Sequence, residues 1–284
     1  MNTEATVQPF FPPAGVSDSP GLRVTLDDLL AVFNLKYRRT PQLGWGPRTR
    51  LERGYFTPDE YYEAVVRRLV VDGADWADVG CGRDIFPQNP ALARELAAKC
   101  GRLLGIDPDP NVRDNPFIKE SHEGPVETAG DKGRFDVVTL RMVAEHIEHP
   151  IESLRSIAAL TKPAGHVVVF TPSKWSPVPI VTRLTPFSLH HPVKRWLWGT
   201  ETRDTFPVQY KMNTRRRLRT LFLEAGFKEV FFARLPDCRL FAHFPALNRV
   251  ELGLWRLCVA TGLRYPESCL LGVYQLERAA RAGA

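Results

Sequence analysis

Short apolar segments alternate with amphipathic segments along most of the chain. Six apolar runs predict strands, over 76–79, 103–106, 135–140, 166–170, 230–232 and 271–276. Apolar residues at helical spacing predict helices, over 25–35, 57–71, 90–99, 151–160 and 213–225. Short apolar strands that alternate with helices are typical of a mostly parallel sheet covered on both faces. The pattern therefore predicts an α/β fold.

The second predicted helix carries a clear start signal, Thr57-Pro58-Asp59-Glu60. Thr57 can cap the helix, Pro58 suits its first turn, and Glu60 completes a capping box. We therefore expect an ordered helix shortly before the first strand.

Two longer stretches, 172–212 and 236–268, interrupt the alternation. The first is rich in proline and aromatic residues, and the second contains an amphipathic segment that predicts a helix over 247–259. A connection of such length is usually functional or disordered. Dense aromatic side chains either line an apolar pocket or pack the insertion onto the core. We expect one domain over 22–284 whose two insertions form a substrate cap, after a loose tail over 1–21.

Composition and charge narrow the partners of this 284-residue chain. The net charge is +6, but the basic group at 215–219 has the spacing of a solvated helix face. No RNA-binding module is visible, so nucleic acid is disfavoured as a partner. No apolar run reaches the roughly 18 residues of a membrane span, and no signal-peptide pattern is present. The amphipathic stretch 241–259 fits a helix that packs on the core better than a peripheral membrane contact, and the oligomeric state is not readable from the sequence.

The five cysteines indicate the redox environment. None of them forms a C-x-x-C pair, and their number is odd. This pattern argues against a disulfide framework and against a structural zinc site. We expect a protein of the reducing cytoplasm.

A glycine loop follows the first predicted strand. Gly80-Cys81-Gly82 allows close approach of a ligand to the backbone, and the helix that follows offers free N–H groups. Asp107 ends the next strand, where an acidic side chain can accept both hydroxyls of a ribose. A nicotinamide dinucleotide and S-adenosylmethionine both fit this arrangement. The dinucleotide pattern G-x-G-x-x-G is broken, because its third glycine position is Ile85.

Six landmarks resemble class I S-adenosylmethionine-dependent methyltransferases of the type 11/23-like group. In chain order they are Asp78-Val79-Gly80-Cys81-Gly82, Ile106-Asp107-Pro108, Phe135-Asp136-Val137-Val138, Ala144-Glu145-His146-Ile147, Lys162-Pro163-Ala164-Gly165 and Glu224-Ala225-Gly226-Phe227. The resemblance covers roughly 57–171 and 213–232. It implies a Rossmann-like fold with a mostly parallel, seven-stranded sheet and helices on both faces.

The resemblance also implies the residues that bind S-adenosylmethionine. They are Asp78, Gly80, Cys81, Gly82, Asp107, Pro108, Val126, Glu127 and Arg141. Asp78 and the glycine loop would hold the methionine part, and Asp107 would hold the ribose. Pro108, Val126 and Glu127 would line the adenine, and Arg141 would close the pocket over the methionine end. Asp84 and Arg141 depart from the usual family pattern, in which smaller residues are common.

The acceptor side offers fewer signals. His146 is the candidate general base, with Glu145 beside it, because histidine titrates near neutral pH and follows the fourth strand. The alternative is that this pair only orients the neighbouring helix. In the first insertion we expect substrate contacts from His190, His191, Trp196 and Tyr210.

The segment 136–147 resembles ubiquinone-pathway O-methyltransferases, whose E-x-x-E-H pattern is associated with a metal. Met142 stands at the first acidic position here, so we expect no metal site. The interpretation that follows is methyl transfer to a small apolar, aromatic or lipid-like acceptor, most simply at oxygen. An RNA methyltransferase and a catalytically silent cofactor-binding subunit are the alternatives.

Overall fold

A seven-stranded sheet organises the described part of the protein. The computed structural model describes residues 22–37, 43–130, 134–176 and 207–277. The strands are β1 (Trp76–Val79), β2 (Leu103–Asp107), β3 (Glu120–Glu123), β4 (Phe135–Arg141), β5 (Thr161–Pro172), β6 (Phe227–Leu235) and β7 (Cys269–Leu276). Their order in the sheet is β3-β2-β1-β4-β5-β7-β6. The expected tail over 1–21 lies outside the described residues.

The strands in the middle of the sheet are parallel and buried. β1 pairs in parallel with β2 on one side and with β4 on the other, and β4 pairs in parallel with β5. β7 is antiparallel to both of its neighbours, β5 and β6. The expected mostly parallel, Rossmann-like α/β sheet is thereby confirmed. Because the carboxyl ends of β1, β2, β4 and β5 meet at one edge, that edge is where an open α/β sheet binds its ligands.

Helices cover both faces of the sheet. They are α1 (Leu26–Tyr37), α2 (Trp45–Glu52), α3 (Pro58–Leu69), α4 (Pro90–Lys99), α5 (Pro150–Leu160), α6 (Arg215–Glu224) and α7 (Pro245–Ala260). Side chains of α1, α3 and α4 share one core cluster with Trp76 and Val137. Side chains of α5 and α6 share the other with Ala77 and Val138. The neighbours Trp76 and Ala77 thus supply opposite faces, as the twofold repeat of a strand requires.

The start of α3 has the expected capping box. The backbone N–H of Glu60 donates to Oγ1 of Thr57 at 3.3 Å, and the backbone N–H of Thr57 donates to Oε2 of Glu60 at 2.7 Å. Most of α3 is buried, including the polar residues Asp59, Glu60 and Glu63. The helix therefore brings carboxylates into the interior beside the carboxyl edge of the sheet.

Three elements differ from the sequence-based expectation. β3 was not predicted, because the polar segment Glu120–Glu123 forms an edge strand that pairs only with β2. α2 was not predicted either. β5 begins earlier than expected and includes the predicted turn as a bulge, since its pairing with β4 jumps from Thr161 to His166.

The second insertion forms a small layer of its own beside the ends of β6 and β7. Its helix α7 packs Leu252 and Trp255 against Tyr55 and Cys238. The rings of Tyr55 and Trp255 meet edge to face, with centroids 5.1 Å apart. No helix within the described residues is long and apolar enough to cross a membrane.

Candidate active site

The glycine loop leaves β1 with two residues of positive φ. Gly80 has φ +72° and donates its backbone N–H to the carbonyl of Ile106 at 2.7 Å. A Cβ at this position would lie 2.1 Å from Cγ2 of Val143, so only glycine fits. Gly82 has φ +47°, and a Cβ there would meet no atom within 4 Å. The loop therefore packs tightly on one side at Gly80 and borders open space at Gly82, as a backbone that receives a ligand requires.

The side chain of Cys81 is turned into the protein between these two glycines. A Cβ on Gly105 of β2 would lie 2.7 Å from its Sγ, so the two strands meet closely here. Burial raises the pKa of the Cys81 thiol, and the nearby carboxylates of Asp78 and Asp107 act in the same direction. A neutral, buried thiol contributes packing, so what Cys81 offers a ligand is its backbone.

Asp78 supplies a buried carboxylate below the loop. Its Oδ1 accepts a hydrogen bond from Oγ1 of Thr139 at 2.5 Å, and that hydroxyl in turn accepts from Nε1 of Trp76 at 2.8 Å. Burial raises the pKa of Asp78 to about 7, against the effects of Thr139 and Arg141. A cation bound nearby would favour the ionised carboxylate, as the methionine end of S-adenosylmethionine could.

Asp107 joins the ends of β1 and β2. Its Oδ2 accepts the backbone N–H of Gly82 at 2.9 Å, and its Oδ1 accepts the backbone N–H of Asp109 at 2.8 Å. Each oxygen of an ionised carboxylate keeps further acceptor capacity after one such bond. Pro108 is exposed directly beside it. These two backbone hydrogen bonds therefore fix the carboxylate of Asp107, which is expected to hold the ribose.

Val126 and Glu127 lie in a short 3₁₀ turn between β3 and β4, at the same edge. Val126 is buried, whereas Glu127 is exposed and accepts a hydrogen bond from Oγ of Ser153 in α5. The preceding Gly124 donates its N–H to the carbonyl of Asp107 at 2.9 Å. This turn therefore lies next to Asp107, on the side where an adenine is expected.

Arg141 belongs to an ion-pair network that the sequence did not reveal. Its guanidinium donates to Oδ1 of Asp59 at 2.7 Å, and Arg239 contacts Oδ2 of the same carboxylate at 3.2 Å. Arg239 also binds Asp237 at 2.6 Å. Burial alone raises the pKa of Asp59, but the two guanidinium groups outweigh it and hold that pKa below its usual value. Arg141 is thereby held between the start of α3 and the end of β6.

Glu145 and His146 follow β4 and contact the returning end of the first insertion. The buried carboxylate of Glu145 accepts from Oγ1 of Thr171 at 2.8 Å, and its carbonyl accepts the N–H of Gln209 at 2.6 Å. Nδ1 of His146 lies 3.2 Å from the carbonyl oxygen of Pro207. Since a carbonyl only accepts, the ring carries its proton on Nδ1 in this contact. Burial raises the pKa of Glu145, against the nearby His146 and Arg141.

Tyr210 has φ +52°, and its N–H donates to the carbonyl of Glu145 at 3.1 Å. It lines a cavity of about 450 Å³ together with Lys174, Asn213 and neighbouring residues. The other three expected substrate residues, His190, His191 and Trp196, lie outside the described residues.

A second cavity, of about 350 Å³, opens at the ends of β5 and β6. Trp175, Trp255 and Tyr265 contribute aromatic walls, and Arg234 and Glu267 form an ion pair at its side. The second insertion thus lines a concave surface at the carboxyl edge. Trp175 is one of the aromatic residues of the first insertion that the sequence predicts either for an apolar pocket or for packing, whereas sequence reasoning did not single out Trp255, Tyr265, Arg234 or Glu267.

The comparison with protein families decides the assignment. The profile of a methyltransferase domain family matches residues 54–230, which run from just before α3 into the first part of β6 and contain the whole glycine-loop region. The chain belongs to this methyltransferase family. S-adenosylmethionine is its cofactor, as the glycine loop and Asp107 indicated.

Curated relatives of the methyltransferase have the same enzymatic class. This chain is 34% identical to the ubiquinone biosynthesis O-methyltransferase of Vibrio campbellii over 132 residues. The aligned stretch covers 42% of this chain and 54% of that protein. It is 33% identical over 102 residues to the enzyme of the same name from Serratia proteamaculans. That alignment covers 33% of this chain and 41% of the relative. The chain therefore spans about half the length of the curated relatives it matches.

Solved structures of methyltransferases also align with it. The N-methyltransferase NodS of Bradyrhizobium japonicum, in complex with S-adenosyl-L-homocysteine, aligns over 90% of this chain and all (100%) of its own, with 14% identity and a TM-score of 0.44. Magnesium protoporphyrin IX methyltransferase of Synechocystis aligns over 88% of this chain and 99% of its own, with 12% identity and a TM-score of 0.47.

Proposed function

We propose that this methyltransferase methylates a hydroxyl oxygen of a small apolar or aromatic acceptor. The observation that carries the proposal is the match to a curated O-methyltransferase, at 34% identity over 132 residues. The cavity walled by Trp175, Trp255 and Tyr265 supports an acceptor with an aromatic or apolar body.

The cofactor residues are proposed on the geometry of the carboxyl edge. Gly80, Cys81 and Gly82 present backbone along the open side of the loop, and Asp107 presents acceptor oxygens beside it. When bound, S-adenosylmethionine supplies a methyl group that its sulfonium has already activated. Asp78 and Arg141 provide one negative and one positive group below the methionine end, which suits an amino-acid moiety that carries both charges.

Pro108, Val126 and Glu127 complete the proposed site at the adenine. They lie on two turns that the hydrogen bond from Gly124 to the carbonyl of Asp107 holds together. Val126 offers an apolar surface, and Glu127 offers a carboxylate that an exocyclic amine can approach.

His146 is the proposed general base. With the proton on Nδ1, where the carbonyl of Pro207 accepts it, the ring nitrogen that bears the lone pair is Nε2. Nε2 would take the hydroxyl proton as the acceptor oxygen attacks the methyl group, and alignment of the two reactants supplies most of the rate. Glu145 acts as a positioning residue, because its carboxylate and carbonyl hold β5 and the segment around Tyr210.

Both insertions are proposed to border the acceptor. The described part of the first insertion contributes Trp175 and Tyr210 to the two cavities, and the second contributes Trp255 and Tyr265. This placement supports the expected substrate cap over 172–212 and 236–268.

The test uses labelled S-adenosylmethionine and a panel of acceptors that share one ring. The panel compares phenols and catechols, with and without an apolar tail, against anilines and RNA. We expect an O-methylated phenol or catechol as the product. His146→Ala should lower kcat by about 100-fold with little change in KM, and His166→Ala, at a half-buried histidine of β5 that pairs with Val137 near the start of β4, serves as the matched control. A methylated aniline or RNA, or an unchanged kcat in His146→Ala, would overturn the proposal.

A further inference from the structure

Helix α7 presents an apolar stripe to solvent. Leu247, Val250, Leu254 and Leu257 follow the spacing of one helix face and are between 48% and 69% exposed. Leu263, just beyond the helix, is also 63% exposed. Four large aliphatic side chains in one exposed row are uncommon on a solvated helix, and such a row marks an interaction surface.

The opposite face of α7 is firmly held. Trp255 packs on Tyr55, and Nδ2 of Asn248 donates to the carbonyl of Cys238 at 2.8 Å. The carboxylate of Glu251 accepts the N–H groups of Leu240 and Phe241, each at 3.3 Å. These contacts fix the rotation of the helix, so the apolar stripe cannot turn inward without breaking them.

The charge around the stripe is positive. Arg249 and Arg264 are exposed and Arg256 is half-buried, and none of them forms an ion pair within the described part of the chain. Between 238 and 266, a stretch described in full, the sole carboxylate is Glu251, which is 6% exposed and occupied by Asn248. A protein partner with the same face, such as a second copy, would bring these arginines toward one another, whereas an anionic surface would neutralise them.

We propose that α7 docks the methyltransferase onto an anionic lipid surface. The helix has 16 residues, about 24 Å, which is too short to span a bilayer and suits a helix lying in the interface. Its leucines enter the boundary between headgroups and acyl chains, and Arg249 and Arg256 contact lipid phosphates. The cavity lined by Trp255 and Leu263 opens at the end of the same helix, so a membrane-dissolved apolar molecule would reach it without crossing water.

The experiment is flotation of the full chain with vesicles of phosphatidylcholine alone or mixed with phosphatidylglycerol. We expect binding to the mixed vesicles, weakening as salt rises. Leu254→Ser combined with Leu257→Ser should weaken binding by more than about tenfold. Arg249→Gln and Arg256→Gln should each weaken it by roughly fivefold. Leu223→Ser, at a leucine of α6 that is 65% exposed, is the matched control and should bind normally.

Three outcomes would overturn this proposal. One is no flotation with either vesicle. Another is equal binding of the leucine variant and the control. The third is a wild-type protein that is a dimer in light scattering while the leucine variant is a monomer, because this result would assign the apolar stripe to contact with a second copy. A thermal midpoint of the leucine variant equal to that of the control is expected, because the side chains are exposed. This docking does not depend on the acceptor proposed above.

Discussion

Asp78→Asn tests two effects of one buried carboxylate. The first is its effect on the free energy of unfolding, and the second is its effect on the affinity for the cofactor. Asp78 is 2% exposed, and burial raises its pKa to about 7 from an ordinary value of 3.8. Between those two pH values the folded protein holds a proton at this position that the unfolded chain has lost. The free energy of unfolding therefore falls as pH rises through this range and levels off above the folded pKa. Asparagine keeps the size of the side chain and removes the titration.

The magnitude follows from the linkage between pKa and stability. With a folded pKa of about 7, the wild-type protein loses about 1.4 kcal/mol between about pH 6 and about pH 8 from this group alone. For a domain of this size that corresponds to a decrease in Tm of about 3 °C. Glu63, whose pKa burial also raises to about 7, acts with the same sign. The wild-type curve alone therefore cannot assign the effect to one residue.

The assay is thermal unfolding of wild type, Asp78→Asn and Glu63→Gln at both pH values without cofactor. We expect Asp78→Asn to gain about 3 °C on wild type between the lower and the higher pH. Calorimetry should show the converse for the cofactor. Its affinity should rise with pH in the wild type and should be weak and nearly independent of pH in Asp78→Asn. If the difference in Tm between wild type and Asp78→Asn is the same at both pH values, the raised pKa of this carboxylate is refuted.

Two further predictions concern the loop and the metal. Gly80→Ala should lower the Tm and destabilise the protein by about 2 kcal/mol or more. The reason is that the new Cβ would lie 2.1 Å from Cγ2 of Val143, at a backbone φ of +72°. Gly253→Ala is the control, because a Cβ at that position meets nothing within 4 Å. EDTA should leave the methylation rate unchanged, because Met142 replaces an acidic residue and, across the described ranges, no three His, Cys, Asp or Glu side chains are grouped to hold an ion. Loss of activity that magnesium restores would contradict it.

Local signals predicted most of the central sheet and the identity of the cofactor. The strands β1, β2 and β4 are buried on both faces, so their apolar runs were visible in the sequence. The capping box at Thr57 depends on residues within one turn, and it formed as expected. By contrast, β3 is an edge strand of polar residues, and only its pairing with β2 makes it a strand. α2 contains Gly46 and Pro47, which obscure a helical pattern.

The residues that the sequence did not reveal at the site come from distant parts of the chain. Asp59 was interpreted only as part of a helix start, and Arg239 lies 180 positions away from it. No local pattern connects a carboxylate on α3 to guanidinium groups at the ends of β4 and β6. Asp59 is buried although it belongs to a capping sequence, and this burial became visible only once the fold placed α3 beside the carboxyl edge.

The position of β7 has a consequence for synthesis on the ribosome. β7 lies between β5 and β6, and among the strands of the described ranges β6 pairs with β7 alone. While residues 269–276 are still inside the exit tunnel, β6 has no partner and the edge of β5, with Val167 and Val169, is open to pairing with other chains. A nascent chain can therefore complete the part of the sheet around the glycine loop first. The half that carries α7 can join only after residues 269–276 have emerged.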